Sequence, residues 1–211
     1  ADRYHVPRIA YVNKMDRIGA GFTAVLDEMK AKLAATPLAL QLPIGSESEL
    51  EGVIDLLTME ELRFDPSDQG QTIARAGIDP SRRAEAEAWR ERMMDALTHI
   101  SDRLTEMVLG GAAIPVDLLQ QAIRQRTLSR AFTPVLCGAS LRNVGVQPLL
   151  DAVVDYRPSP VDVPPTQGHH AKKNDPVEVP CRPEAFLLGL VFKLQASREA
   201  GNLCYLRLYS G

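Results

Sequence analysis

Short apolar runs alternate with amphipathic stripes along this chain. Arg8-Ile9-Ala10-Tyr11-Val12 is largely apolar with β-branched members, which reads as a buried strand. Phe22, Val25, Leu26, Met29 and Leu33 then recur at spacings of three and four, one face of a helix. Strand, polar loop and helix in that order make an α/β unit. Residues 38–44 and 53–57 read as strands parted by Gly45-Ser46-Glu47. Residues 60–64 and 71–78 read as further strands, parted by the turn-rich Asp65-Pro66-Ser67-Asp68-Gln69-Gly70. Asp79-Pro80 starts a helix, with an N-cap acceptor followed by proline at the first helical position. Trp89, Met93, Leu97, Ile100, Leu104 and Met107 trace its face, with a break expected near Ser101-Asp102, and Gly110-Gly111 ends it. A shorter helix after Pro115 carries Leu118, Leu119, Ala122 and Ile123.

The pattern then returns to its opening form. Thr133-Pro134-Val135-Leu136-Cys137 is a second short buried strand, followed by the loop Gly138-Ala139-Ser140-Leu141. Val146, Leu149, Leu150, Val153 and Val154 give another amphipathic helix. From Pro158 to Pro183 the chain holds seven prolines among charged residues, the composition of an extended connection. Residues 186–194 and 203–209 read as two strands joined by a polar turn at Glu199-Ala200-Gly201-Asn202. The expected architecture is α/β: a sheet at 1–37 and 129–158, interrupted by an α+β insert at 38–128, then a linker at 159–184 and the opening strands of a β domain at 185–211.

Composition narrows the class. Of 211 residues, 24% are charged and 45% hydrophobic, which excludes disorder or coiled coil as a description of the whole. No apolar run approaches the roughly 20 residues of a membrane-spanning helix, and no charged-then-apolar leader is visible, so a cytoplasmic location is the default expectation. The formal net charge of -3 argues against a broad basic face for nucleic acid, and 5% aromatics against a stacking platform. Cys137, Cys181 and Cys204 lie far apart without metal-ligand spacing, so neither a disulfide framework nor a metal site is expected. His169-His170 has no acid or cysteine partner nearby in sequence. The chain opens without Met and stops inside a strand-like segment, so it reads as part of something longer.

Asn13-Lys14-Met15-Asp16 carries the chemistry. It follows the first strand and fits the pattern Asn-Lys-x-Asp, which reads guanine. An ionised Asp accepts two parallel hydrogen bonds, from guanine N1–H and its exocyclic amino group. Adenine has an acceptor at N1 and no such amino group, so it would leave the carboxylate unpaired, and a polar site of this kind rejects the wrong base strongly. The Asn side chain braces the loop, and the Lys stem packs along the base plane. The plainer reading is a solvated turn with Asp16 as a helix cap. The second element is Gly138-Ala139-Ser140-Leu141, where a backbone N–H would meet guanine O6; by itself it is also an ordinary turn between strand and helix.

Taken with their surroundings, these elements resemble the elongation factor G family of translational GTPases. The resemblance rests on Val12-Asn13-Lys14-Met15-Asp16-Arg17-Ile18-Gly19-Ala20, Leu42-Pro43-Ile44-Gly45-Ser46-Glu47 and Glu51-Gly52-Val53-Ile54-Asp55-Leu56. It continues in Pro134-Val135-Leu136-Cys137-Gly138, in Asn143 and Gly145 through Tyr156, and in Leu206-Arg207-Leu208-Tyr209-Ser210-Gly211. It implies the C-terminal part of a P-loop GTPase-type sheet, a G-prime insert at 38–128 and the first strands of a β-barrel domain II. It implies guanine contacts at Asn13, Lys14, Asp16, Ala139, Ser140 and Leu141, with GTP or GDP as ligand and magnesium in the whole protein. It also implies the ribosome as partner, with rRNA and the large-subunit stalk protein, the latter through the insert, and no membrane.

The same resemblance marks what is missing. No Gly-x-x-x-x-Gly-Lys-[Ser/Thr] run occurs, and the family's switch segments, magnesium-binding Thr and water-orienting His find no match. Phosphoryl transfer needs those parts. The expectation is therefore guanine recognition without a catalytic residue, no GTP hydrolysis by this chain alone, and weak nucleotide affinity. Ala139-Ser140 inverts the family's Ser-Ala order, Arg157 stands where the family usually has Leu, and the turn 195–202 diverges, which suggests either a diverged member of the family or a paralogue. The alternatives are a stalk-binding module with an idle nucleotide loop, a related GTPase of the release-factor recycling or ribosome-protection type, or an unrelated α/β domain with a chance motif.

Overall fold

A computed structural model describes residues 1–98, 102–170, 172–197 and 201–211. The chain divides into two compact units, Ala1–Arg157 and Pro158–Gly211. In chain order the first unit holds β1 (Ala10–Val12), α1 (Phe22–Leu33), β2 (Pro37–Ala39), β3 (Gln41–Ile44), β4 (Gly52–Asp55), β5 (Glu60–Phe64) and β6 (Ile73–Gly77). It continues with α2 (Pro80–Thr98), α3 (Asp102–Leu109), α4 (Val116–Leu128), β7 (Thr133–Cys137) and α5 (Val146–Tyr156). The second unit holds β8 (Thr166–His169), β9 (Pro176–Val179), β10 (Leu188–Ser197) and β11 (Gly201–Ser210).

A parallel sheet of order β1-β7-β2 positions the two candidate loops. All five residues of β7 are buried, which explains why this strand reads as an unbroken apolar run. Its register with β1 pairs Ala10 with Val135, Tyr11 with Leu136 and Val12 with Cys137. The two chains therefore leave the sheet side by side, and the loops after them become neighbours.

The second sheet of this unit is an antiparallel meander, β3-β4-β5-β6. The continuous strand expected at 38–44 is two strands in two sheets. Pro37–Ala39 pairs with β7, and Gln41–Ile44 pairs with β4. Leu40 is the junction: its N–H donates to Val135 O at 3.0 Å, while its carbonyl accepts from Leu56 N at 3.0 Å. The seven residues are apolar enough for either sheet and contain no turn signal at the crossing, so periodicity does not reveal it.

One core joins both sheets and their helices. Phe22 of α1 meets Trp89 of α2 with ring centroids 6.3 Å apart and planes tilted by 56°. Arg90 of α2 donates to Leu56 O and, at 2.8 Å, to Leu57 O, which satisfies two carbonyls of the turn after β4. Desolvation pulls its guanidinium pKa down, with Asp55 opposing. The expected face residue Ile100 and the break at Ser101 lie outside the described residues; α2 ends at Thr98 and α3 starts at Asp102.

In the second unit, β8 and β9 pair antiparallel, as do β10 and β11. The stretch expected as plain extended connection thus contains a small hairpin. Its prolines stand at strand ends (Pro176 opens β9 and Pro180 follows it), where a missing N–H is tolerated. Gln167 and Glu178 join across the ladder at 2.7 Å. Of the turn expected at Glu199-Ala200-Gly201-Asn202, residues 199 and 200 lie outside the described residues, and Gly201 and Asn202 already belong to β11.

Candidate functional site

The sheet register brings the two sequence elements together at the carboxyl ends of β1 and β7, the edge where α/β sheets place ligands. Backbone bonds fasten the loops to each other. Gly138 N donates to Val12 O at 3.0 Å, and Met15 N donates to Gly138 O at 3.0 Å. Met15 is 2% exposed and anchors the loop into the core; burying such a side chain contributes about 1.5–3 kcal/mol. Its buried position leaves Asn13 and Lys14 exposed and Asp16 half-buried. Lys14 adopts the left-handed region at φ 62, which produces the sharp turn out of the strand.

Asn13 is the brace. Its Oδ1 accepts from its neighbour's amide, Lys14 N, at 2.8 Å and from Ser140 N at 3.0 Å. The second bond ties the loop after β1 directly to the loop after β7. Gly21 occupies the N-cap of α1, so Asp16 does not cap that helix. The Asp16 carboxylate accepts no hydrogen bond and forms no ion pair among the described residues. Its charge does reach Tyr11, whose pKa is pushed up to about 12 by burial first, then by Cys137 and Asp16.

The loop after β7 is a tight turn. Ala139 N donates to Val144 O at 3.0 Å, and Val144 N donates back to Ala139 O at 3.1 Å. Arg142 N and Asn143 N close the turn onto Ala139 O and Ser140 O. Ala139 is buried, while Ser140 and Leu141 are exposed. With the amides of Ala139, Ser140, Arg142 and Asn143 engaged, Leu141 N–H is the turn's donor without a partner among the described residues. Gly138 is required here, because a Cβ would collide with Val144 O and the Tyr11 hydroxyl. Tyr11 Oη donates to Val144 O at 2.8 Å and fixes the far side of the turn.

All six sequence-predicted residues therefore lie in two adjoining loops. Sequence reasoning missed the supports. Glu47 N donates to Met15 O at 2.9 Å, and Glu47 Oε1 accepts from Gly19 N at 2.8 Å, so a turn from the meander clamps the loop after β1. Tyr11 reads only as a strand residue in sequence. Nothing local announces either contact, since both join segments far apart in the chain. Among the described residues no group of three or more His, Cys, Asp or Glu side chains is positioned to hold a metal. A cavity of about 1010 Å³ lies beside Leu141–Val144 and the turn after β3 and does not include Asn13, Lys14 or Asp16.

Fold and loops together define a GTP-binding domain, and residues 1–159 match the Elongation factor Tu GTP binding domain family, to which this chain belongs. Across its whole length the chain is homologous to elongation factor G. It is 46% identical over 211 residues to Elongation factor G 1 of Treponema denticola and 49% identical over 211 residues to Elongation factor G 2 of Treponema pallidum. Elongation factor G 2 of Geobacter metallireducens is 44% identical over the same length. The chain is covered completely in each case and spans about a third of the relatives' length, 31%, 31% and 30% respectively. A crystal structure of a Thermus thermophilus protein aligns with all of this chain and 28% of its own, with a TM-score of 0.75 at 25% identity.

Proposed function

We propose that this chain supplies the guanine-reading part of a translational GTPase that drives translocation on the ribosome. The observation that carries the reading is the Asn13–Ser140 bond, which holds an unpaired, half-buried carboxylate and a turn with a spare amide in adjoining loops. Asp16 receives guanine N1–H and the exocyclic amino group. Leu141 N–H donates to O6, because Ser140 N–H is engaged by Asn13. Lys14 lies along the base, and Ala139 and Ser140 shape the turn. GTP and GDP share the base and bind alike at this edge.

The sequence has no phosphate loop. Phosphate clamping, magnesium and water positioning are therefore assigned to no residue of this chain, and the chain alone releases no phosphate from GTP. Hydrolysis belongs to the whole protein. The meander with α2–α4 serves as the G-prime insert that meets the stalk protein, and β10–β11 open domain II. Among the described residues no helix is long and apolar enough to cross a membrane; a cytoplasmic site of action follows from the ribosomal role.

The test is an amide NMR titration of the chain with GMP and AMP at about millimolar concentration, the range expected when the phosphate cradle is missing. GMP shifts the Leu141 amide and AMP leaves it in place. Asp16→Asn loses the GMP response and gains one to xanthosine monophosphate, whose O2 accepts from an amide NH2. Equal responses to GMP and AMP overturn the reading.

A further inference from the structure

The turn between β3 and β4 belongs to the meander, yet it ends on the base-reading loop. Glu47 meets that loop twice. Its N–H donates to Met15 O at 2.9 Å, and its Oε1 accepts from Gly19 N at 2.8 Å. These two contact points bracket Asp16. Between them Asp16 is half-buried, while Arg17, Ile18 and Gly19 are exposed, Ile18 to 93%. Packing therefore holds Met15 and releases the residues after it. The local backbone adds only turn bonds, from Arg17 N to Lys14 O and from Ala20 N to Arg17 O, both at 3.0 Å.

The turn that carries Glu47 is itself well fastened. Leu50 at its far end is 1% exposed. Glu51 N donates to Ile44 O at 2.9 Å and Glu49 N to Ser46 O at 3.0 Å, which closes the turn. Gly45 has φ +75, and a Cβ there would collide with the backbone of Glu49. Glu47 takes the left-handed region at φ 55, a conformation that suits glycine and costs a residue with a side chain. Strain held in place by its surroundings points to a use for the strained residue. Here the residue that bears the strain is the one whose carboxylate reaches Gly19.

We propose that Glu47 is a positioning residue for guanine discrimination. By holding Met15 and Gly19 together, it aims the Asp16 carboxylate at the edge of the base that carries the amino group. A two-bond pairing demands a fixed carboxylate plane; a carboxylate free to swing still meets one donor but no longer both. The inference rests on the guanine reading. It adds that the meander, which touches no base, sets how well the base is read.

The test compares GMP with inosine monophosphate, which lacks only the exocyclic amino group, in titrations followed at the Leu141 amide. The parent chain is expected to bind GMP about tenfold more tightly, the worth of one hydrogen bond to a charged acceptor. In Glu47→Ala that ratio falls toward parity. Glu47→Gln, whose amide oxygen still accepts from Gly19 N, restores it. General loosening of the fold would weaken both nucleotides alike and leave the ratio intact. Glu47→Gly loses the same carboxylate but relaxes the left-handed backbone, so it loses the discrimination while melting no lower than Glu47→Ala. A parent chain that tells GMP from AMP but not from inosine monophosphate, or a tenfold ratio that survives in both Glu47→Ala and Glu47→Gly, overturns the inference. A parent chain that responds alike to GMP and AMP overturns the guanine reading instead, and the clamp is then judged without nucleotide. Faster hydrogen exchange at the Arg17 amide in Glu47→Ala and Glu47→Gly, but not in Glu47→Gln, upholds it, and unchanged exchange removes it.

Discussion

Asn13 Oδ1 accepts the amide proton of Ser140 at 3.0 Å, across 127 positions of chain. The bond exists because β1 and β7 are adjacent and parallel with Val12 opposite Cys137. An exposed hydrogen bond of this kind contributes about 0.5–1.5 kcal/mol. Asn13→Ala is expected to lower the unfolding free energy by that amount in urea. It is also expected to speed hydrogen exchange at the Ser140 amide while leaving Ala139, which bonds to Val144, protected. Asn13→Asp keeps an acceptor and restores much of the protection. Unchanged exchange at Ser140 in Asn13→Ala would show that the bond does not hold the loops.

Gly138 supports the same junction through its missing side chain. A Cβ would collide with Val144 O and the Tyr11 hydroxyl, and neither is the loose end of a flexible chain, since Tyr11 is fixed by its own bond to Val144 O. Overpacking of this kind costs about 1–3 kcal/mol. Gly138→Ala is expected to destabilise accordingly, measured by thermal melting. Gly138→Ala combined with Tyr11→Phe recovers part of the loss, because one of the two obstacles is then gone. No recovery would place the whole conflict at the backbone of Val144.

The candidate site was more legible in sequence than the fold around it. Asn13 to Asp16 and Gly138 to Leu141 stand out because polar residue types follow short apolar strands, and both loops occupy the same edge of the sheet. The passage from β2 to β3 at Leu40 was hidden, because Leu38, Ala39, Leu42 and Ile44 on its two sides are buried and apolar whichever sheet they join. Glu47 was hidden for another reason. Its carboxylate meets Gly19, 28 positions earlier, through tertiary folding, and no local pattern encodes that distance. The hairpin β8–β9 was masked by proline content, although the prolines stand at its ends.

Arg90 shows how α2 is fastened to the meander. Its guanidinium serves the carbonyls of Leu56 and Leu57, where the chain turns after β4. Leu56 is wholly buried and Leu57 nearly so. Arg90→Met retains the packing of the stem and removes the donors, leaving two carbonyls unsatisfied. The expected loss is about 1–3 kcal/mol, the penalty for an orphaned buried acceptor. Arg90→Lys restores only part of it, because an ammonium on a different stem lacks the planar fork. Equal stability of Arg90→Met and the parent chain in urea would show that water takes over both carbonyls.

Glu61 gives the acid limb of the stability profile a specific source. Removal from water raises its carboxyl pKa, but three partners outweigh that effect and hold it below the ordinary value. Asp79 N donates to Oε1 at 3.1 Å, Arg63 Nη2 to Oε2 at 2.9 Å, and Arg82 approaches Oε1 at 3.5 Å. A carboxyl whose folded pKa is depressed binds fewer protons folded than unfolded. Its stabilisation is therefore present above the unfolded value, near 4.3, and is lost as pH falls through the folded one. Asp55 works in the opposite sense, since burial pushes its carboxyl pKa up. The Glu61 contribution is thus read by comparison with a variant, not from the whole profile. Glu61→Gln is expected to be less stable by about 1–3 kcal/mol at pH 7. That gap narrows as the pH falls below about 4, where the parent's carboxyl takes up its proton. Urea unfolding of both chains at neutral and acid pH measures it, and a gap that stays constant across that range would remove Glu61 as the cause.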